Sequence, residues 1–178
     1  MTGKSLFRVS DLDQNAPTPF DLRPDAATMA ALAEELGLQG LRKLSFSGQI
    51  SAAGRRDFVL TGRLGATVVQ PCVVTLEPVT TRIDTDVRRT YLANMPEPEG
   101  EEVEIPEDDT IEPLPSTIDP AAVMAEALAL ALPLYPRKDG VALGPANFTE
   151  PGGEAMTDED ARPFAGLANL RDRLRDKD

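Results

Sequence analysis

Histidine is absent from this chain of 178 residues, and cysteine and aromatic side chains are scarce. Without imidazole, the chain has neither the general base of Ser-His-Asp or Cys-His catalysis nor an imidazole ligand for a metal ion. Cys72 is the single cysteine, so a disulfide within the chain and a zinc site of about four thiolate or imidazole ligands are both excluded. We therefore expect no metal ion, no other cofactor and no small-molecule substrate.

Long apolar runs are missing as well. The longest, "AVMAEALALALPL", is interrupted by Glu126 and Pro133 and is too short to cross a bilayer. The amino-terminal "MTGKSLFRVSDL" lacks the apolar segment of a secretory signal, and a single cysteine gives no sign of an oxidising compartment. The sequence therefore predicts a cytoplasmic protein with no membrane partner.

Charge is unevenly distributed along the chain. The net charge is −12, yet residues 40–91 hold eight basic and four acidic side chains, while residues 92–112 hold nine acidic and no basic ones. Because the stretch 93–109 is acidic, rich in proline and nearly free of apolar residues, it cannot bury enough surface to order itself. We expect a flexible acidic insertion there, preceded by a locally basic region.

Two segments carry the start and stop signals of helices. The first helix is predicted over about 25–37, and the second is expected to begin with Asp119 as its cap and Pro120 at its first position. The second helix is apolar almost all round, which is typical of a buried helix, and it should end at Pro133. Residues 5–12 are predicted to form a short strand that leads into a polar, proline-containing loop before the first helix.

Between the two helices the apolar period changes to two. Residues 41–50, 58–64 and 79–91 alternate apolar and polar side chains over long stretches, as strands do when one face is buried and the other solvated. Short turns between them favour an antiparallel meander. The predicted fold class is α+β, with an antiparallel sheet packed by two helices. Whether that sheet closes into a barrel is left open.

The arginines of the basic region are candidate binding residues. On a solvated sheet face they are either ordinary solubilising residues or a basic patch that meets RNA phosphates. Aromatic residues are not interleaved with them, which argues against sequence-specific reading of single strands. The candidates for RNA binding are Arg55, Arg56, Arg63, Arg82, Arg88 and Arg89.

The last part of the chain, residues 138–178, is predicted to be a flexible tail with a short amphipathic helix over 162–175. Its apolar residues recur at helical spacing and form one stripe, and a helix of about three turns is not stable alone in water. The stripe either folds back on the protein's own sheet or docks in a groove of a partner. We expect partner docking, because the tether before it is long and rich in glycine and proline. The candidate docking residues are Phe164, Leu167, Leu170 and Leu174.

In their order and spacing, several segments resemble the YceD family, the large ribosomal RNA subunit accumulation proteins. They are "FRVSDL", "ATMAALAEELGL", "LTGRL", "CVVTLEPV", "IDPAAVMAEALALALPLYP" and "RPFAGLANLRDRL". The resemblance implies a YceD-like domain over 1–137 and a non-enzymatic factor in large ribosomal subunit biogenesis. Such a factor would promote the accumulation or processing of 23S ribosomal RNA by binding the pre-ribosomal RNA or a ribosomal protein. A general interaction adaptor, whose acidic segment recruits a basic protein, is the alternative.

One family element is incomplete in this chain. Family members often carry Cys-x-x-Cys followed by Leu and Pro, with a further cysteine after the apolar helix. Cys72, Leu76 and Pro78 match this pattern, whereas Thr75 stands in place of the second cysteine and the later cysteine is missing. The resemblance implies that any metal-binding capacity of the element is lost here, and we expect Cys72 to be a buried structural residue.

Overall fold

The computed structural model describes residues 6–95 and 110–141. In chain order, its elements are β1 (Phe7–Arg8), a 3-10 turn (Val9–Asp11), β2 (Thr18–Leu22), α1 (Ala26–Glu35), β3 (Gly40–Ala53), β4 (Asp57–Pro71), β5 (Pro78–Leu92), β6 (Ile111–Pro113), β7 (Thr117–Ile118) and α2 (Pro120–Ala131). The three longest elements, β3, β4 and β5, follow one another in the chain and are also neighbours in space. They form the centre of the described fold.

The described strands form one five-stranded sheet in the order β2–β3–β4–β5–β6, and a small ladder between β1 and β7. Neighbours in the sheet run antiparallel except β6, which lies parallel to the last residues of β5. Because β2 and β6 are edges, the sheet of the described residues is open and does not close into a barrel. The predicted α+β class with an antiparallel meander is confirmed.

Alternation along the strands buries one face of the sheet, which we call the inner face. Phe46, Ile50, Leu60 and Leu64 point to this face and are at most 1% exposed. These are the residues that the period-two pattern places together. The core is therefore built mainly from aliphatic side chains of the central strands, with both helices packed against it.

A β-bulge interrupts the sheet near the start of β3. The pairing register shifts between Arg42 and Ser45, so that Lys43 and Leu44 together stand opposite one residue of β4. The extra residue changes the phase of the strand, and both Leu41 before it and Leu44 after it are buried. Lys43 takes a positive φ of 53°, a conformation that residues other than glycine seldom adopt.

Two glycines leave space for aromatic rings between β2, β3 and β4. A Cβ on Gly62 would lie 2.6 Å from the Phe46 ring, and a Cβ on Gly48 would lie 2.9 Å from the Phe20 ring. Phe20 packs against Phe46 with the ring centroids 5.0 Å apart. Aromatic side chains, although few, therefore fill the part of the core where the sheet carries no Cβ.

Both helices place their apolar sides on the inner face. Asp25 caps α1 by accepting a hydrogen bond from the Thr28 amide at 2.9 Å, and Leu32 and Ala33 join the core. Asp119 caps α2, and Pro120 begins it, as predicted. The core residues of α2 are Val123, Met124, Ala127 and Leu128.

Two expectations about these elements are wrong. Thr18–Leu22, expected to belong to a loop, forms the edge strand β2 because Phe20 and Leu22 alternate into the core. Pro19 is tolerated there because an edge strand does not need every amide. The second helix is not buried all round, since Leu130 is 75% exposed. Small alanines make up much of that side, so little apolar area is left in water.

The chain divides into two units, Met1–Asp139 and Gly140–Asp178. The elements given above belong to the first unit, and of the second only Gly140 and Val141 are described. The expected acidic insertion therefore lies largely, and the expected tail helix wholly, outside the described residues. The same holds for the candidate docking residues Phe164, Leu167, Leu170 and Leu174. Within residues 6–95 and 110–141, no helix is long and apolar enough to cross a membrane.

Candidate nucleic-acid interface

The outer face of the sheet, which turns away from the helices, is open to solvent over the described residues. Its charged side chains are Arg23, Arg42, Lys43, Arg63, Arg82 and Arg88, together with Asp21, Asp57, Asp84 and Asp86. The positions between them are mainly serine, threonine and glutamine, and the described part of the face carries no aromatic ring. With six cations against four anions, this face is locally basic although the chain as a whole is acidic.

Three aspartates of the outer face pair with cations, while Asp57 accepts a hydrogen bond from the Ala93 amide at 2.8 Å. The ion pairs are Arg23–Asp21 at 3.2 Å, Arg63–Asp86 at 3.9 Å and Arg82–Asp84 at 2.6 Å. The hydrogen bonds between Arg82 and Asp84 lower the pKa of the carboxyl and raise the pKa of the guanidinium. Such exposed pairs contribute little to stability. Arg42, Lys43 and Arg88 form no ion pair within the described residues.

Five of the six predicted arginines are exposed to solvent. Arg63, Arg82 and Arg88 lie on the outer face, on the adjacent strands β4 and β5. Arg55 and Arg56 lie in the tight turn between β3 and β4, at one end of the sheet. The structure therefore brings three of the candidates together on one surface and leaves two at its end.

Arg89 does not belong to this surface, which corrects the prediction. It stands opposite Leu60 on the inner face and is only 8% exposed. Its guanidinium pairs with Glu126 of α2 and, through Nε at 3.1 Å, with Glu112 of β6. The Nε–H is not aligned for a hydrogen bond with that carboxylate, so this second contact is an ion pair only. Arg89 thus links α2 and β6 to the sheet.

Three cations of the outer face, Arg23, Arg42 and Lys43, were missed from the sequence. Lys43 was within reach, because it falls on the polar side of a predicted strand. Arg42 was not, because simple alternation puts it on the side of Leu44 and Phe46, and only the bulge brings it to the outer face. Arg23 carried no such signal, since it directly follows a strand that was expected to be a loop. The misplacement of Arg89 was also avoidable, because alternation along β5 puts it on the same side as the buried Tyr91.

The incomplete family element forms the turn between β4 and β5. Cys72 is fully buried, as predicted. Interactions with the Thr75 hydroxyl first, and then with the amides of Lys138, Thr75 and Val74, lower the pKa of the Cys72 thiol to about 6, because they favour the thiolate more than burial opposes it.

The segment after α2 packs beside this turn. The Val73 amide donates a hydrogen bond to the Pro136 carbonyl oxygen at 2.9 Å, and Lys138 Nζ lies 2.8 Å from Glu77 Oε2. The stretch in which the resemblance implies a further cysteine is therefore close to Cys72. Residues 6–95 and 110–141 contain no cluster of three or more His, Cys, Asp or Glu side chains that could hold a metal ion. The described contacts of this turn are hydrogen bonds and an ion pair.

Together, the fold and this surface define an α+β protein whose sheet carries helices on one face and cations on the other. A family model described as "Large ribosomal RNA subunit accumulation protein YceD" matches residues 60–171. The match spans more than half of the chain, and the chain belongs to the YceD family. It begins in β4, so it includes Arg63, Arg82 and Arg88 but not β2 or β3. No curated protein and no solved structure matches the chain.

The family match confirms the resemblance seen in the sequence segments. Its description connects the family with accumulation of the large ribosomal RNA subunit and names no catalysed reaction. At this level the predicted area of function, ribosomal RNA accumulation, is confirmed.

Proposed function

We propose that this protein is a non-enzymatic, cytoplasmic factor in large ribosomal subunit biogenesis that binds the ribosomal RNA directly through its outer face. The observation that carries the proposal is the excess of six cations over four anions on a sheet face that no described helix covers. Family membership supplies the biological setting. The phosphate backbone of RNA is a partner that such a face suits.

The side chains of the outer face favour contacts with phosphates over contacts with bases. Arginine, lysine, serine, threonine and glutamine all donate hydrogen bonds to phosphate oxygens, and these contacts position a protein without reading sequence. Recognition of unpaired bases usually relies on aromatic stacking, and the described part of the outer face has no aromatic side chain. We therefore propose that the protein recognises local backbone geometry.

The acidity of the rest of the chain is compatible with this mode of binding. The net charge is −12, so the remainder of the chain opposes a polyanion on average, and among the described surfaces the outer face is the basic one to which RNA is directed. Arg55 and Arg56 at the hairpin turn extend this positive region along the end of the sheet. An acidic protein of this kind should bind RNA in one orientation.

The test compares two variants that lose the same charge. Arg63→Gln with Arg88→Gln removes two cations from the outer face, whereas Arg8→Gln with Arg137→Gln removes two exposed arginines outside it. Binding to an in vitro transcript of the large-subunit ribosomal RNA is measured by fluorescence anisotropy over a series of KCl concentrations. Each phosphate contact contributes about 0.7 to 0.9 to the slope of log K against log salt. The outer-face variant should therefore bind the transcript more weakly and with a less steep salt dependence. The control should keep the wild-type affinity and slope.

Two results would contradict the proposal. One is a wild-type protein that shows no salt-dependent binding to the transcript. The other is an outer-face variant that binds with the wild-type slope. Either result would transfer the interaction to a protein partner, such as a ribosomal protein or another basic protein recruited by the acidic segment.

A further inference from the structure

A shallow depression of about 520 Å³ lies on the outer face, at the place where β2 ends. Its lining residues are Arg23, Lys43, Leu44, Ser45, Thr67 and Arg82. They come from four neighbouring strands or strand ends, so the sheet register brings three cations and two hydroxyl groups to one place. Groups of this kind are the usual donors to a phosphate oxygen.

Arg82 is held flat across the sheet in this depression. Asp84 accepts hydrogen bonds from its Nε at 2.8 Å and its Nη2 at 2.6 Å. The guanidinium lies over Gly65, where a Cβ would come within 2.6 Å of Nη2. Two of the five N–H groups are thereby bound to Asp84, a third, on Nη1, donates to the Thr67 hydroxyl oxygen at 3.5 Å, and the remaining two are able to reach an anion. A donor group that is already ordered loses little entropy when a ligand binds.

Lys43 enters the depression because of the β-bulge. The bulge itself is explained by the core, since it lets both Leu41 and Leu44 be buried. The burial of these two leucines does not explain why the residue in the bulge is a lysine. A positive φ of 53° is a glycine-like conformation, and Lys43 forms no ion pair within the described residues. Strained positions of this sort are concentrated at functional sites.

Charge balance indicates what kind of ligand fits. Three cations line the depression, and two of them, Arg23 and Arg82, are already paired with Asp21 and Asp84. The local excess is thus about one positive charge, which matches a phosphodiester with its single negative charge better than a multiply charged nucleotide. The described lining also offers no aromatic ring for a base.

We propose that this depression binds one backbone phosphate of the ribosomal RNA. Lys43 and Arg82 are its charged contacts, and the hydroxyls of Ser45 and Thr67 are its neutral donors. The proposal rests on the proposed function and goes further, because it locates one contact on the outer face and assigns it a residue outside the region matched by the family model.

Lys43→Gly is the decisive variant, because it removes the charge and also relieves the backbone conformation. The folded protein should keep its thermal midpoint or gain a few degrees, while the slope of log K against log salt for the large-subunit transcript should fall by about 0.7 to 0.9. Lys43→Asn, which also tolerates positive φ, should behave alike. Arg137→Gln removes one charge elsewhere and serves as the control. Replacing Ser45 and Thr67 by alanine should weaken binding without a change of slope, since no charge is lost.

The outcomes separate this inference from the function on which it rests. If Lys43→Gly and Lys43→Asn keep the wild-type slope while Arg63→Gln with Arg88→Gln lowers it, the RNA uses another part of the outer face, and the inference is overturned although the function stands. If the wild-type protein does not bind the transcript in a salt-dependent way, both are overturned.

Discussion

Arg88 and Arg89 are neighbours in sequence but lie on opposite faces of β5, so replacing each by methionine should separate RNA binding from stability. Arg88 is exposed on the outer face. The Arg89 side chain is 9% exposed and lies between Glu112 and Glu126. We expect Arg88→Met to weaken binding to the ribosomal RNA transcript with little effect on the fold. Arg89→Met should lower the stability of the fold and leave binding to the ribosomal RNA transcript nearly unchanged.

The size of the stability effect follows from the exposure of the two carboxylates. The Glu112 and Glu126 side chains are 42% and 51% exposed, so water can solvate them once Arg89 is gone. Methionine fills much of the space of the arginine stem, and Arg89→Met should lower the free energy of unfolding by only ~1 kcal/mol. Replacing both glutamates by glutamine instead leaves a buried guanidinium without a counter-ion. We expect a loss of ~3 kcal/mol, the lower end for a broken buried pair, because the carboxylate side is open to water.

Urea unfolding followed by far-ultraviolet circular dichroism measures these differences, since the chain has no tryptophan to report by fluorescence. Arg88→Met should stay within ~0.5 kcal/mol of the wild type, as surface changes usually do. The salt dependence of RNA binding is measured on the same three variants. The reasoning is refuted if Arg89→Met lowers the salt slope as much as Arg88→Met does, or if the double glutamine variant is as stable as the wild type.

Three further predictions concern other parts of the chain. The Cys72 thiol should titrate with a midpoint of about 6 when thiolate absorbance is followed, and Cys72→Ser should remove that transition. Because the pKa of Cys72 in the folded protein lies below the usual value of 9.0, the contribution of Cys72 to the free energy of unfolding should grow from pH 6 to pH 9 and be lost below pH 6. A difference in unfolding free energy between wild type and Cys72→Ser that does not change with pH would contradict this. Gly62→Ala should cost ~1–3 kcal/mol of unfolding free energy through its clash with Phe46, whereas Gly40→Ala, with its nearest neighbour atom at 3.5 Å, should be tolerated. Truncation after Asp160 should leave the thermal midpoint unchanged and abolish co-sedimentation with large-subunit particles, and retained co-sedimentation would show that the predicted tail helix is not needed.

Local patterns were sufficient to predict the three long strands and both helices. The period-two alternation in β3, β4 and β5 identified the buried residues Phe46, Ile50, Leu60 and Leu64, because a strand side is defined by parity alone. Capping and proline signals likewise placed the start of α2 at Asp119 and Pro120. The short strand β2 was missed, because its two core side chains are too few to make a pattern against the prolines beside them.

The candidate site depended on contacts between distant parts of the chain. Arg23, Lys43 and Arg82 reach one depression only because the ladder registers of β2 to β5, and a bulge of one residue, align them. In the same way, the amide of Lys138 reaches the Cys72 thiol only once α2 has packed on the sheet. Register and helix docking are determined by the best burial of the whole core, which no local window of sequence contains. The sequence therefore identified the basic strands, and the tertiary structure decided which of their cations share a surface.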